Sequence, residues 1–519
     1  MNRCANTLLR AFHLSTNSLS FSRMSSIKKG LVLGLYKSID SDIKFTPTAD
    51  KFCSNNDGLK KKIILSQIHE KEGKSALFFD EDEVYKYIVF YNLGDHNGPD
   101  FDEIEGLNPI KENVRHAAYT GVLTLSEFVD VVEIEDFEDS MCSAEGATLA
   151  NMRFDEMKVT SKKKKSLPKI TQYKGESPHW KIGSILSTGQ NIARRLMEMP
   201  ANVLTPTKYA EEVVQLFSKF DDVKVNVYDE KWIKEQKMGM FLSVAAGSAE
   251  PPKFVEILYK PKALSKYDIG LVGKGITHDT GGISLKPSSS MPDMRADMGG
   301  SANVVSTMYN LASLGTKINI IGCLPITENM PGGKATKPSD IVISRSGKSV
   351  QIDNTDAEGR LVLGDALDYI QDFDIVHGII EMSTLTGAQA VALGEGATGM
   401  FSTCKKLSDI LVKCGEVSGD RMWPMPYYKM YTKLMTKSTN ADVNNIGCSR
   451  WEKINPAGAC QAAAFLKEFI RDKYAKKYVH LDIAGVMDNK CEGVPYLPTG
   501  FSGRPTRTVT RALEYLVKI

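Results

Sequence analysis

Between about residue 180 and residue 519, five apolar runs each end in a polar turn or a glycine: DIGLVGKG (268–275), INIIGCLPI (318–326), SVQIDNTD (349–356), IVHGIIEMSTLTG (375–387) and YVHLDIAGVM (478–487). Helix-like stretches such as GSANVVSTMYNLASLG (300–315) and EGRLVLGDALDYIQDF (358–373) lie between them. Continuous apolar strands alternating with amphipathic helices predict a large, mixed but mostly parallel sheet covered by helices on both faces. In such a sheet the functional site lies beyond the carboxyl ends of the strands.

The first part of the chain reads as a smaller α/β unit. Strand-like runs GLVLGLYK (30–37), KKIILSQ (61–67), SALFFDED (75–82), YKYIVFYNLG (85–94) and DVVEIED (130–136) come at short intervals, with a helical pattern over 112–125. The lysine cluster SKKKKSLPK (161–169) reads as a solvated linker. The expected division is a leader (1–29), an N-terminal α/β domain (30–165), a linker and connecting helix (166–189) and a larger C-terminal α/β domain (190–519). The first 39 residues lack Asp and Glu but contain Arg, Lys and Ser. Such a start suits either a mitochondrial transit segment or an unstructured leader.

Charge and cysteine usage narrow the class. Sixty-five Lys and Arg against 63 Asp and Glu leave a formal net charge of +2, so no nucleic-acid or anionic-membrane partner is expected from the field of the chain. Nine scattered cysteines, without a C-x-x-C pair, fit neither a zinc ribbon nor a disulfide framework and point to a reducing, cytoplasmic setting. No apolar run reaches the roughly 18 residues that would span a bilayer.

Polar residues concentrate where the site is expected. The segment 272–300 holds Lys274, Asp279, Lys286 and Asp297, and the segment 353–367 holds Asp356, Glu358 and Arg360. Four carboxylates and two lysines at strand ends are too many for a core. Without a Cys or His ligand pattern they suit hard or borderline divalent ions such as Mn²⁺, Mg²⁺ or Zn²⁺. Two ions sharing bridging carboxylates would relieve the repulsion among the acids. Glycines 273, 275, 281, 282, 299 and 300 are expected to let backbone approach a ligand.

Together the two segments resemble the signature regions of the leucine aminopeptidase (cytosol aminopeptidase) family, whose hallmark NTDAEGRL stands at 354–361. GQNIARRLMEMPANVLTPTK (189–208), STLTGA (383–388), ADVNNIG (441–447) and HLDIAGVM (480–487) resemble it too, so the likeness covers about 180–519. The resemblance implies a metal-dependent exopeptidase with two divalent ions per subunit, Zn²⁺ or Mn²⁺, with Mg²⁺ or Co²⁺ possible at the exchangeable position.

Carried over residue by residue, Asp279 and Glu358 would bridge both metals, Lys274 and Asp297 would complete the exchangeable site, and Asp356 the tighter one. Lys286 would stabilise the oxyanion of the scissile carbonyl, and Arg360 would hold a bicarbonate acting as general base. Substrate contacts would fall on Met294, Asn354, Thr384, Leu385, Gly387, Ala484 and Met487. The family also implies peptide substrates and a homohexamer. Two departures stand out: His278 where Phe usually precedes the bridging Asp, and a longer loop over 448–460 containing Trp451, expected to shape an entrance or a subunit contact if it is more than a solvent loop. His480 and the apolar-flanked Cys323 and Cys460 read as structural.

Overall fold

The computed structural model describes residues 27–518, except 39–42, 55, 80–81, 83, 163–165, 448–455 and 492. Residues 1–26 of the expected leader, the middle of the lysine cluster and Trp451 lie outside the described residues.

The first unit is a five-stranded sheet in the order Ser75–Phe79, Tyr85–Asn92, Lys29–Leu35, Val131–Ile134 and Lys169–Gln172. Its last strand falls inside the stretch read as linker and pairs in parallel with Val131–Ile134. One expected strand is instead a helix. All of KKIILSQ but Gln67, the C-cap, lies within Asp57–Ser66, where Asn56 caps the Leu59 N–H and Leu59 and Ile63, four apart, are buried. The cap and the i,i+4 apolar pair outweigh the β-branched Ile63 and Ile64, which are too few to make a strand.

The larger unit is built on a nine-stranded mixed sheet. Its central strands, Tyr478–Asp482, Ile375–Ser383, Tyr267–Gly273 and Ile320–Asn329, run parallel, and antiparallel strands flank them on both sides. The strand Gly275–Asp279 prolongs the line of Tyr267–Gly273 along the far end of Ile320–Asn329. Alternate residues of one strand feed opposite cores, as the pleat requires. Ile380 and Met382 pack with Val304, Met308 and Leu311 of helix Gly299–Leu314. Ile379 packs on the other face with Leu363, Leu367 and Ile370 of helix Gly359–Ile370. SVQIDNTD does form a strand, Ser349–Ile352, but in a separate three-stranded sheet.

The C-terminal helix Thr506–Leu516 returns to the first unit. Glu145, fully buried on helix Ser140–Ala150, pairs with Arg115 at 2.6 Å, Arg507 at 2.8 Å and Arg511 at 2.5 Å. Arg115 also pairs with Glu112 and donates to the Val417 carbonyl, and Arg507 donates to the Gln190 side chain. Burial alone would raise the affinity of Glu145 for a proton, but Arg511, Arg115 and Arg507 outweigh it and hold the carboxyl well below the ordinary carboxylate range.

Candidate active site

Lys274 is the one residue between the collinear strands Tyr267–Gly273 and Gly275–Asp279, so its side chain and that of Asp279 are fixed to the same rigid line. Asp297 follows the short 3₁₀ helix Met291–Ala296 and donates its N–H to the Met294 carbonyl. Glu358 immediately precedes helix Gly359–Ile370, and Asp356 lies in the loop after Ser349–Ile352. Four separate elements thus deliver these groups to the ends of the central strands.

The side chains converge in two lysine-centred clusters. The Lys274 Nζ lies 2.8 Å from both Asp297 and Glu358 carboxylates and donates to the Thr384 carbonyl at 3.0 Å. Lys286 lies 2.8 Å from Asp279 and 2.5 Å from Asp356. Ligand oxygens of Asp279, Asp356 and Glu358 fall within 4.8 Å of one another. Gly359 makes room for this: a Cβ there would sit 2.6 Å from Lys274 Cε. By contrast, Gly273 and Gly300 serve strand-to-helix contact and not a ligand. Added Cβ atoms would meet Ser301 Cα at 2.6 Å and the Met382 carbonyl at 2.0 Å.

Charge in the cluster does not balance. Four carboxylates, three of them buried, face two ammonium groups. Asp279 is pushed up to about 6 by burial and by Glu358, despite Lys286 and Lys274. Burial also drives Asp297 well above the usual carboxylate range, and Asp356 is raised in the same way. Burial acts on Glu358 too, but Lys274 and Lys286 more than offset it, so its carboxyl is lowered. Asp297 Oδ2, Asp356 Oδ1 and Glu358 Oε1 lie near lysines yet accept no hydrogen bond of good geometry. Acceptor oxygens this buried and this poorly satisfied, carrying surplus negative charge, are the donor set a divalent cation needs.

Both lysines are held charged. Burial favours their neutral forms, but Asp297 and Glu358 around Lys274, and Asp279 and Glu358 around Lys286, reverse it. Lys286 retains some exposure, 16% of its side chain, whereas Lys274 is buried. Arg360 is buried in the first turn of its helix, donates to the Asn445 carbonyl at 2.6 Å and has no partner for Nε. Burial pulls it down to about 10.

Of the residues expected to contact substrate, Thr384, Asn354 and Met294 bond directly to the cluster acids, while Leu385 and Ala484 meet at Asp482. Thr384 donates to Asp297 at 2.7 Å. The Asn354 side chain accepts the Asp356 N–H. The Leu385 and Ala484 amides both donate to Asp482. Met294, Asn354, Leu385, Ala484 and Met487 are all partly exposed, and Gly387 is exposed at the start of helix Gly387–Leu393.

His278 alternates with Asp279 along its strand and so points to the other face. Its half-buried ring is shifted down by burial. His480 is fully buried, bonded to Glu381 across the sheet and stacked on Phe401. Cys323 and Cys460 are buried. Of the 448–460 loop, 448–455 lie outside the described residues, and helix Gly458–Lys467 takes up its end.

Three residues escape a reading of the sequence. Asn329 donates to Asp279 at 2.8 Å and to the Thr355 carbonyl, fixing the orientation of the carboxylate. The Asn445 carbonyl accepts from Arg360, and Asp482 accepts from Leu385 in the lining loop. Asn445 and Asp482 lie in segments that carry the family resemblance, which was the available signal; Asn329 has none, since only pairing with Gly275–Asp279 brings it near.

Comparison with known proteins agrees with this geometry. The model of the cytosol aminopeptidase family, catalytic domain, matches residues 191–510. The cytosol aminopeptidase of Sus scrofa is 44% identical over 501 residues, covering 95% of this chain and 93% of its own length. That of Dictyostelium discoideum is 43% identical over 495 residues, covering 93% and 92%. Among solved structures, the bottromycin maturation enzyme BotP in complex with Mn superposes with a TM-score of 0.78 at 25% identity, covering 95% of this chain and all of that one. The chain therefore belongs to the cytosol aminopeptidase family and is an aminopeptidase, a metal-dependent hydrolase.

Proposed function

We propose that this aminopeptidase releases leucine and similar apolar residues from the free N-termini of peptides, using two divalent ions held by Asp279, Asp297, Asp356, Glu358 and Lys274, the last as a neutral amine whose proton the cation's charge would displace. The observation that carries the reading is the cluster of four carboxylates with three unsatisfied oxygens around two lysines. Zn²⁺ or Mn²⁺ there, or Mg²⁺ or Co²⁺ at the more exchangeable position, would supply Lewis acidity that makes water nucleophilic at neutral pH.

The protein's own groups complete the chemistry. Lys286, charged and still partly exposed, receives the scissile carbonyl oxygen and stabilises the negative charge that develops on it. Arg360, with a spare donor in a buried setting, would hold a small anion such as bicarbonate, whose chemistry there would be that of a general base. Met294, Met487, Ala484 and Leu385 offer an apolar surface to the first side chain, so a charged first residue would lose its hydration without a partner. Asn354, Thr384 and Gly387 offer polar and backbone contacts.

In the same reading residues 190–519 carry catalysis and 30–165 form a separate domain. The chain assembles as a homohexamer in the cytoplasm, which the kinship with cytosol aminopeptidases supports. Among the described residues no helix is long and apolar enough to cross a membrane.

The test uses protein stripped of metal and reloaded with Mn²⁺, Zn²⁺, Co²⁺ or Mg²⁺. Leucine amide should be cleaved and N-acetyl-leucine amide and aspartyl amide left intact. Cleavage of the acetylated or the acidic substrate at a similar rate overturns the reading. Light scattering at six times 57.3 kDa tests the assembly.

A further inference from the structure

The segment 383–387 leaves the central strand Ile375–Ser383 and runs past the carboxylate cluster before helix Gly387–Leu393 begins. Residues 384–386 between them have no regular secondary structure, yet they are pinned on two sides. Thr384 is tied to the cluster: its hydroxyl donates to Asp297 at 2.7 Å, and its carbonyl accepts from Lys274 at 3.0 Å. The next two residues are tied to Asp482. Its Oδ1 accepts the Leu385 N–H at 3.2 Å, and its Oδ2 accepts the Thr386 hydroxyl at 2.7 Å.

Asp482 reaches a second lining segment as well. It is the last residue of the strand Tyr478–Asp482, and the same Oδ1 accepts the Ala484 N–H at 3.2 Å. Its own backbone is immobilised between Ser383 on one neighbouring strand and Gly399 on the other, and the side chain is fully buried. Three donors from two loops thus converge on one carboxylate that is held by the centre of the sheet. A carboxylate suits this position because it only accepts, with enough lone pairs for all three donors.

We infer that Asp482 is a positioning residue for the pocket of the substrate's first side chain: it fixes the distance between Leu385 and Ala484 and aligns both with the cluster through Thr384. This rests on the activity proposed above and deepens it. The contribution is to recognition of the first residue and not to metal affinity, because none of the cluster carboxylates bonds to Asp482.

Asp482→Ala, Asp482→Asn, Thr386→Val and Thr386→Ser separate the alternatives, each purified with Mn²⁺ and assayed on leucyl, methionyl and alanyl amidomethylcoumarins. Asp482→Ala should raise KM for leucine and lower the leucine-to-alanine ratio of kcat/KM by about tenfold, the effect of losing a hydrogen bond to a charged acceptor. Its kcat on alanine should stay within about threefold. Asp482→Asn and Thr386→Val should fall between it and the parent, and Thr386→Ser, which keeps the hydroxyl, should restore parental selectivity.

Metal content by elemental analysis should match the parent throughout. Hydrogen exchange, measured on the metal-free protein, should show faster exchange of the peptide spanning 383–387 in Asp482→Ala, and of the Ala484 amide. An unchanged leucine-to-alanine ratio in both Asp482→Ala and Thr386→Val, an equal loss on all three substrates, or a loss of bound metal overturns the inference. If Asp482→Ala does not fold, the Thr386 pair decides. A parent inactive on every aminoacyl substrate overturns the proposed activity itself, a separate result.

Discussion

Replacing Glu145 with Gln tests whether the two units are held together by charge. The substitution keeps the shape of the side chain but removes the negative charge from among Arg115, Arg507 and Arg511. Arg115 retains Glu112 and the Val417 carbonyl, whereas the Arg507 side chain is left with Gln190 as its hydrogen-bond acceptor. Breaking a buried ion pair from one side costs about 3–5 kcal/mol. A cooperative unit the size of the matched region 191–510 has an unfolding entropy of about 0.7 kcal/mol per kelvin, so Tm should drop by about 6 °C.

The pH dependence follows from the sign of the shift. The folded carboxyl is held below its unfolded value of about 4.3, so its stabilisation is fully present above that pH and fades as pH falls through the lower folded value. Differential scanning calorimetry of parent and Glu145→Gln should therefore show a constant gap from pH 7 to about pH 5 that narrows in more acid solution. A gap under about 1 °C at pH 7, or one that widens on acidification, refutes the reasoning.

Other consequences can be measured on the same protein. Lys274→Ala should lower metal content, with activity partly restored by added Mn²⁺, whereas Lys286→Ala should keep its metal and lose roughly 10²–10³ in kcat; the reverse pattern in elemental analysis and kinetics exchanges the two roles. Removing metal with a chelator should lower Tm by several degrees as well as abolish activity, since a ligand bound at about 100 times its Kd contributes about 2.7 kcal/mol; an unchanged Tm speaks against metal in the buried cluster. Gly359→Ala should displace Lys274 through the 2.6 Å approach of the new Cβ and reduce metal content, read by elemental analysis, while the helix itself gains propensity.

Much of the larger unit is legible in the sequence because parallel strands buried on both faces leave long apolar runs, and 268–275, 318–326, 375–387 and 478–487 all mark strands of the main sheet. SVQIDNTD looks the same locally, but its strand pairs with Asp340–Ile343 and Val443–Asn444 in the side sheet, a choice made by tertiary contacts alone. KKIILSQ misleads because three apolar residues suit either period, and the deciding cap, Asn56, lies outside the run. At the site, acids and lysines stand out because charge at strand ends is conspicuous. Asn329 and Asp482 do not: an amide and an acid within apolar strands acquire meaning only from the neighbours the fold supplies.

The clasp at the C-terminus also sets a schedule for biosynthesis. Glu145 is separated from Arg507 by 362 residues and from Arg511 by 366. At roughly 5–20 residues per second a ribosome needs about 20–70 s to cover that interval. Throughout it, Glu145 has Arg115 beside it but neither of the arginines from the last helix. The first unit can assemble its own sheet early, and helix Pro178–Glu198 covers Ser140–Ala150 soon after it is made, yet the Glu145 carboxylate waits for two of its three arginines until the last helix emerges. A ribosome stalled, or a message truncated, between Asp482 and Arg507 would thus release a chain whose larger sheet is complete but whose Glu145 lacks both arginines of the last helix.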